Sequence, residues 1–313
     1  MELNELKSSL DITSLDEYRK SKKKMIDKQE VILGFSSLVI FGVLYGYGYY
    51  QECENKFIMA FGGTLVLVVL PLWFLVKKSI KEYILFYKTK VLSPIFKILG
   101  LEVEYFPNNH TVVKKLFSKS KLLLSYTGFK STFLVKGSYE KMAFLFADVR
   151  LDKERDQDTK EKFKGLYLNL DFEFNSQLII DVLPDHTKNI DFVKMLNIQR
   201  HKPVKLNHDG FEKLFVVYSN FPEKARELLD DNFITTIINM RANHKKFWFT
   251  IRGGSLHIMI EDNNDYFEID SKNPIEKTVE IHYDNIKMVY ACLKKYKEIF
   301  QSKSRQLSIN IFN

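Results

Sequence analysis

Two uninterrupted apolar runs constrain this chain more than anything else in it. Residues 31–50 read VILGFSSLVIFGVLYGYGYY and residues 57–76 read FIMAFGGTLVLVVLPLWFLV, 20 residues each with no charged side chain and no histidine. That is the length a helix needs to cross roughly 30 Å of hydrocarbon. A secretory signal would have a shorter apolar stretch nearer the N-terminus and a small-residue cleavage site, so both runs are read as spans. Six residues, 51–56, join them, which makes the pair a tight hairpin.

The flanks give the orientation. Arg19, Lys20, Lys22, Lys23, Lys24 and Lys28 precede the first run and Lys77, Lys78 and Lys81 follow the second, whereas the connecting loop carries Glu52 and Glu54. Positive flanks stay inside, so both termini are expected in the cytoplasm. Arg19, Lys20, Lys22, Lys23, Lys24, Lys77, Lys78 and Lys81 are the expected contacts to anionic lipid head groups. Tyr45, Tyr47, Tyr49, Tyr50 and Trp73 suit the interfacial aromatic belts. Gly42 and Gly46 in the first run, with Gly62 and Gly63 in the second, permit close backbone approach within the hairpin or between two copies. An apolar run without ionisable residues argues against a proton relay or ion pathway.

The formal net charge of +8 is concentrated: residues 77–130 contribute +8, against 0 from 1–30, −1 from 31–76 and +1 from 131–313. Beside a span, such an excess reads as a topology signal and a lipid partner before it reads as a nucleic-acid surface. Lys114, Lys115, Lys119 and Lys121 alternate with Leu116, Phe117 and Leu122, which is neither an RRM nor an OB pattern, so nucleic acid is not the expected partner. Cys53 and Cys292 are too few and too far apart for a disulfide framework or a zinc site.

Outside the runs the periods change. Ser14-x-x-Glu17 predicts a capping box opening a helix that continues into the first span, and Leu3, Leu6 and Leu10 predict a short amphipathic segment that lies on the bilayer or, the favoured reading, packs on the domain. Residues 78–100 have a helical period interrupted by Pro94, which is expected to kink or end the helix. Strand-like runs follow at 101–106, 122–126, 132–136, 143–149, 166–174 and 177–182. Residues 152–162, DKERDQDTKEK, hold no apolar side chain and predict a solvated loop; the EF-hand glycine and closing glutamate are missing, so calcium is not expected. Residues 211–218 predict a strand, and 222–240 a helix with Pro222 in its first turn. Residues 246–252 and 255–261 flank Gly253-Gly254 as a hairpin. Ile286, Val289, Tyr290, Leu293, Tyr296 and Phe300 mark an amphipathic C-terminal helix. The expected fold class is α+β: a cytoplasmic arm over 1–30, a transmembrane hairpin over 31–76, a basic helical stalk over 77–100, and a mostly antiparallel sheet with packed helices over 101–313.

Catalytic patterns do not emerge. The seven histidines show no metal-ligand spacing, and the phosphate-cradling G-x-x-x-x-G-K-[ST] and G-x-G-x-x-G and the G-x-S-x-G elbow are missing. Asp181-x-x-x-Asp185 and Asp230-Asp231 are read as solvated charge. No catalytic, cofactor-binding or metal residue is therefore assigned.

Phe163, Gly165 and Leu166 make an F-x-G-L run; Phe215, Val217, Tyr218 and Ser219 an F-x-V-Y-S run; and Ala225, Arg226, Leu228 and Leu229 an A-R-x-L-L run. In this order they resemble a family of bacterial membrane proteins catalogued only as a domain of unknown function, over most of residues 30–270. The resemblance implies a bacterial cytoplasmic membrane and the same two-span layout, and supplies no catalytic residue. Leu229-Asp230-Asp231 departs from relatives that carry Thr or Pro after the leucines.

The reading that follows is a membrane-anchored cytoplasmic binding or scaffold module, with Tyr218, Arg226, Trp248 and His257 as contact points for a protein partner or a second copy. An enzyme or ligand sensor acting on lipid or a membrane-bound substrate is the alternative, which a deep pocket gathering histidines or carboxylates would favour. A nucleic-acid binder is a further alternative, and steeply salt-dependent binding would identify it.

Overall fold

The computed structural model describes residues 3–51, 54–105, 110–122, 126–155, 158–172, 177–185, 201–243, 246–261, 266–267, 269 and 271–309. The chain divides into two compact units, Met1–Ile98 with Ile269–Asp284 and Leu99–Glu268 with Asn285–Asn313.

The first unit is helical: α1 (Leu3–Ser9), α2 (Ile12–Tyr50), α3 (Lys56–Thr64), α4 (Leu70–Tyr87) and α5 (Ser93–Ile98), with the opening turns of the last helix, α10 (Ile275–Ile309). The α3–α4–α5 stretch is continuous because two π-turns, Leu65–Val69 and Lys88–Leu92, join its pieces. A helical proline loses the bond to the carbonyl four residues back and clashes with it. For Pro71 and Pro94 those carbonyls belong to residues 67 and 90, inside the two π-turns. There the Leu70 and Ser93 N–H groups donate five residues back, to Leu65 and Lys88. At Pro94, expected to kink or end the helix, the helix continues through a widened turn.

Both helical stretches, Ile12–Tyr50 and Ala60–Ile98, have 39 residues and are long and apolar enough to cross a membrane. At 1.5 Å per residue each is about 58 Å long, roughly twice a hydrocarbon core. They pair antiparallel over most of that length. Tyr18 stacks on Phe86 at 3.8 Å, Lys22 pairs with Glu82 at 2.7 Å, the Ser79 hydroxyl donates to Gln29 at 3.0 Å, and Phe41 meets Phe57 edge-on at 5.8 Å. Nearer the loop a Cβ on Gly63 would lie 2.7 Å from Leu44 Cδ1, whereas Gly34, Gly42, Gly46 and Gly62 meet nothing within 4 Å. Gly63 is therefore used inside the hairpin, and the Gly42/Gly46 side of α2 is open.

The start of α2 differs from the expected capping box. Asp11 is the cap, accepting from the Ser14 N–H at 3.0 Å, and Ser14 already lies inside the helix. Asp16, one turn on, caps a different helix: its Oδ1 accepts from Ile275 N at 3.1 Å at the start of α10 and from Arg19 Nε at 2.7 Å. Arg19 Nη1 in turn donates to the Ser271 carbonyl at 2.7 Å. The Arg19 guanidinium, with the Ile275 N–H, holds the Asp16 carboxyl well below the usual carboxylate range. Lys7 on α1 pairs with Glu276 at 2.8 Å and with Glu280, and Tyr87 OH meets His282 Nδ1 at 2.9 Å in a buried contact. Leu6 and Leu10 are buried.

The second unit holds a nine-stranded antiparallel sheet of order β1-β2-β3-β4-β9-β8-β5-β7-β6. Its strands are β1 (Glu102–Tyr105), β2 (Gly128–Tyr139), β3 (Met142–Arg155), β4 (Asp158–Asp171), β5 (Ile180–Pro184), β6 (Lys202–Val204), β7 (Phe215–Ser219), β8 (Lys246–Arg252) and β9 (Ser255–Glu261). Helices α6 (His110–Ser120), α7 (Asp209–Glu212), α8 (Pro222–Leu228) and α9 (Asp231–Asn243) and the rest of α10 complete it. The fold class is α+β, as read from the sequence. Gly253 and Gly254, at φ 60° and 86°, make the β8–β9 turn, since glycine enters the left-handed region without a Cβ clash.

Three local expectations change. The 152–162 loop is instead the far end of the β3–β4 hairpin, paired Lys153 to Lys160, Glu154 to Thr159 and Arg155 to Asp158; ladder hydrogen bonds belong to the backbone and propagate from the apolar part of the strands. Residues 209–212 are a helical turn capped by His208, whose Nδ1 accepts from Phe211 N at 3.2 Å, so the strand begins only at Phe215. The 222–240 helix is two helices, because the Asp230 carboxylate accepts from Phe233 N at 3.0 Å and starts α9 afresh. The expected strand at 122–126 lies largely outside the described residues.

Replacing Asp16 by Ala removes a helix cap and leaves the Arg19 charge, 5% exposed, without its carboxylate. The expected loss is about 3 kcal/mol. Glu17→Ala, at the exposed partner of the sequence-predicted capping box, is expected to cost under about 0.5 kcal/mol. Thermal unfolding of the full-length protein in detergent checks both.

Candidate functional site

Paired residues on neighbouring strands point to the same side of a sheet. Following the register across the sheet, Pro203 stands opposite Tyr218, Tyr218 opposite Asp181, Asp181 opposite Thr250, Thr250 opposite His257, and His257 opposite Asn169. One cross-strand row therefore carries a phenol, a carboxylate, a hydroxyl, an imidazole and an amide. Trp248 and Arg252, each two residues from Thr250, share its face.

Asp181, Thr250, Arg252, His257 and Asn169 are all buried, and buried polar groups need partners. They find them in one another. Arg252 Nη2 donates to both Asp181 oxygens, at 3.3 and 3.2 Å, and the Thr250 hydroxyl donates to the same carboxylate. Tyr167 OH, one row away, donates to His257 Nδ1 at 2.8 Å, and Asn169 Nδ2 reaches that nitrogen at 3.2 Å. An Nδ1 that accepts leaves the ring proton on Nε2.

Burial sets the electrostatics. It pushes the Asp181 carboxyl above its ordinary value, against the downward pull of Arg252, Thr250 and His201. It drives the His257 imidazole down to about 4, so that side chain is neutral at pH 7. His201 lies just before β6, its Nε2 buried without a hydrogen-bond partner among the described residues. The row is thus one ion pair and one neutral imidazole. A one-residue slip of β8 would carry Thr250 and Arg252 to the opposite face, so the row also fixes strand register.

The four expected contact residues separate on this frame. Trp248 and His257 are 1% and 2% exposed, so they are corrected from surface contacts to interior groups. The reason is their place on central strands beneath α6. Val113 and Phe117 of α6 share one apolar cluster with Trp248, Met259 and Tyr167, Trp248 meets Phe163 edge-on at 5.6 Å, and Phe117 meets Tyr167 at 5.4 Å. Tyr218 is half-buried in the row. Arg226, on α8, stays exposed, donating to Glu223 at 2.7 Å and to the Lys205 carbonyl at 3.1 Å. Asp181, read as solvated, is instead the buried partner of Arg252.

The basic residues beside the apolar runs separate too. Arg19 is buried in the Asp16–Ser271 network, Lys20 pairs with Asp16 at 3.1 Å and Lys22 with Glu82. Lys23 is half-buried, and Lys24, Lys77, Lys78 and Lys81 are exposed. Among the described residues, no group of three His, Cys, Asp or Glu side chains is placed to hold a metal ion.

Residues 161–300 match the family model described as "Protein of unknown function (DUF3137)". No curated protein matches the chain. Among solved structures, the crystal structure of the mycobacterial trehalose monomycolate transport factor A, TtfA, is similar at 13% sequence identity, covering 61% of this chain and 90% of that one with a TM-score of 0.33. At that score neither fold nor role transfers.

Arg252→Ala strands a buried carboxylate and is expected to cost about 3–5 kcal/mol, much of it recovered in Arg252→Ala/Asp181→Ala. Denaturant unfolding at pH 7 measures the cycle. His257 binds its proton more weakly folded than unfolded, so its contribution is complete above about pH 6.5 and is lost as pH falls toward 4, by about 3 kcal/mol. Wild type is expected to lose more stability than His257→Gln between pH 7 and 5; equal losses would contradict the assignment.

Proposed function

We propose that this chain is a two-span integral membrane protein whose second unit is a cytoplasmic binding or scaffold module, held to a bacterial cytoplasmic membrane by the α2 to α4 hairpin. One observation carries the reading. Among the described residues, the large hydrophobic side chains that remain exposed lie almost all within residues 31–75, from Val31 at 70% and Leu38 at 73% to Phe74 at 62%; outside that range they are Ile80, Leu85, Phe221 and Ile281. Soluble monomers rarely expose a contiguous apolar patch above a few hundred Å². A band that surrounds both helices of a hairpin suits hydrocarbon as its solvent, and with every backbone bond made within the helices it is stable there.

Lysines outnumber acids on both flanks of the band, which favours a cytoplasmic location for both termini and an anionic leaflet beside them. The buried polar row is self-paired and is read as structural. A protein partner or a second copy is better met at the surface near Arg226, beside exposed Phe221.

Topology tests the reading. An impermeant maleimide added to intact cells is expected to label Cys53, in the segment between the runs. A cysteine placed at exposed Ser118 on α6 is expected to react only after the membrane is opened, while buried Cys292 stays silent. Labelling of Ser118→Cys in intact cells would reject the cytoplasmic module.

A further inference from the structure

The cations around the apolar band do two different jobs. Arg19, Lys20 and Lys22 are engaged with Asp16, the Ser271 carbonyl and Glu82. Lys24, Lys28, Lys77, Lys78 and Lys81 are exposed, and none makes an ion pair within 4 Å among the described residues. They are also ordered in space. Trp73, Lys77 and Lys81 recur every four residues along one face of α4, with Lys77 Nζ 3.5 Å over the Trp73 ring. Lys24 and Lys28 do the same on α2.

All five lie within seven residues of an apolar run, about 10 Å along a helix, which is about one Debye length at physiological salt. Residues 22–30 and 77–82 together hold seven lysines against Asp27, Glu30 and Glu82, and Glu82 is committed to Lys22. The surplus positive charge therefore sits at the apolar edge, on side chains without an ion pair within 4 Å among the described residues; Lys78 only adds to the pull of Lys22 that lowers the Glu82 carboxyl.

We infer that Lys24, Lys28, Lys77, Lys78 and Lys81 form a collar that binds the phosphates of anionic phospholipids, with the Trp73 ring at head-group depth, while Lys22 ties α2 to α4, Arg19 and Lys20 are held by Asp16, and these three do not select lipid. The inference rests on the bilayer reading proposed above and adds the partner and the residues that take it. An ammonium on a four-carbon stem suits this task, because it meets a mobile phosphodiester as a point charge and needs no fixed geometry. Nucleic acid is the less favoured polyanion: the one exposed ring of the collar, Trp73, already carries Lys77, leaving no stacking platform for a base.

The test uses full-length protein in phosphatidylcholine vesicles carrying a trace of spin-labelled phosphatidylglycerol or, separately, spin-labelled phosphatidylcholine. Electron paramagnetic resonance reads the motionally restricted fraction of each lipid. The expected preference for phosphatidylglycerol is about fivefold. It is expected to vanish at about 1 M salt, where screening is complete within about 3 Å, and in the variant with all five lysines changed to Gln. Arg19→Gln and Lys22→Gln are expected to keep the preference and lower the unfolding temperature instead. Equal restriction of the two lipids by wild type, or a preference abolished by Arg19→Gln, overturns the inference. So does displacement of phosphatidylglycerol by generic duplex DNA at the same salt. The wild-type salt titration stands even if the five-lysine variant fails to insert. A protein that restricts neither lipid would remove the bilayer reading itself, which separates the two failures.

Discussion

Twenty large hydrophobic side chains between Val31 and Leu75 that the protein leaves exposed, among the described residues, are the constraint on which the rest of the first unit depends. In water, a band from Val31 to Leu75 with exposures of 39% to 81% would cost about 25 cal/mol for each Å² of apolar area left wet, and α2 and α3–α4 contact each other along only one side. The hydrocarbon surroundings proposed above would remove that cost. The middle of each is apolar. The far ends carry the polar contacts, Lys22 to Glu82 and Gln29 to Ser79, that set the pairing beyond the apolar band. The two π-turns follow from the same demand, since they carry a proline-containing helix onward without abandoning its backbone bonds.

Buried polar groups repeat that logic in both units. Asp16 serves Arg19 and the first N–H of α10 at once, and Asp181 serves Arg252 and Thr250. In each case a carboxylate is tolerated inside because several donors converge on it. Asp16 to Ile275 and Asp181 to Thr250 and Arg252 join residues far apart in sequence, so they specify one arrangement of helices and one register of strands.

How much of this was legible follows from the range of each interaction. The apolar runs, the Gly253-Gly254 turn and the α+β class are local or periodic, and the sequence carries them. The Asp11 cap was legible in principle, three residues before Ser14, but Ser14 and Glu17 offered a better-known pattern. Trp248 and His257 were placed outside because alternation tells which residues share a face and not which face α6 covers. Asp181 and Arg252 stand 71 positions apart, and no spacing rule joins a carboxylate in β5 to a guanidinium beside a turn. Pro94 signals a kink or an end in the helix, and only the surrounding backbone decides that the helix continues through a π-turn.

Extraction of native membranes at pH 11 tests the central claim most directly. Alkaline carbonate strips proteins held by charge or by partners, and it leaves those whose helices are solvated by hydrocarbon. The full-length protein is predicted to stay with the membrane pellet. Its release into the supernatant would mean that the apolar band is covered by protein and not by lipid, and would contradict the account.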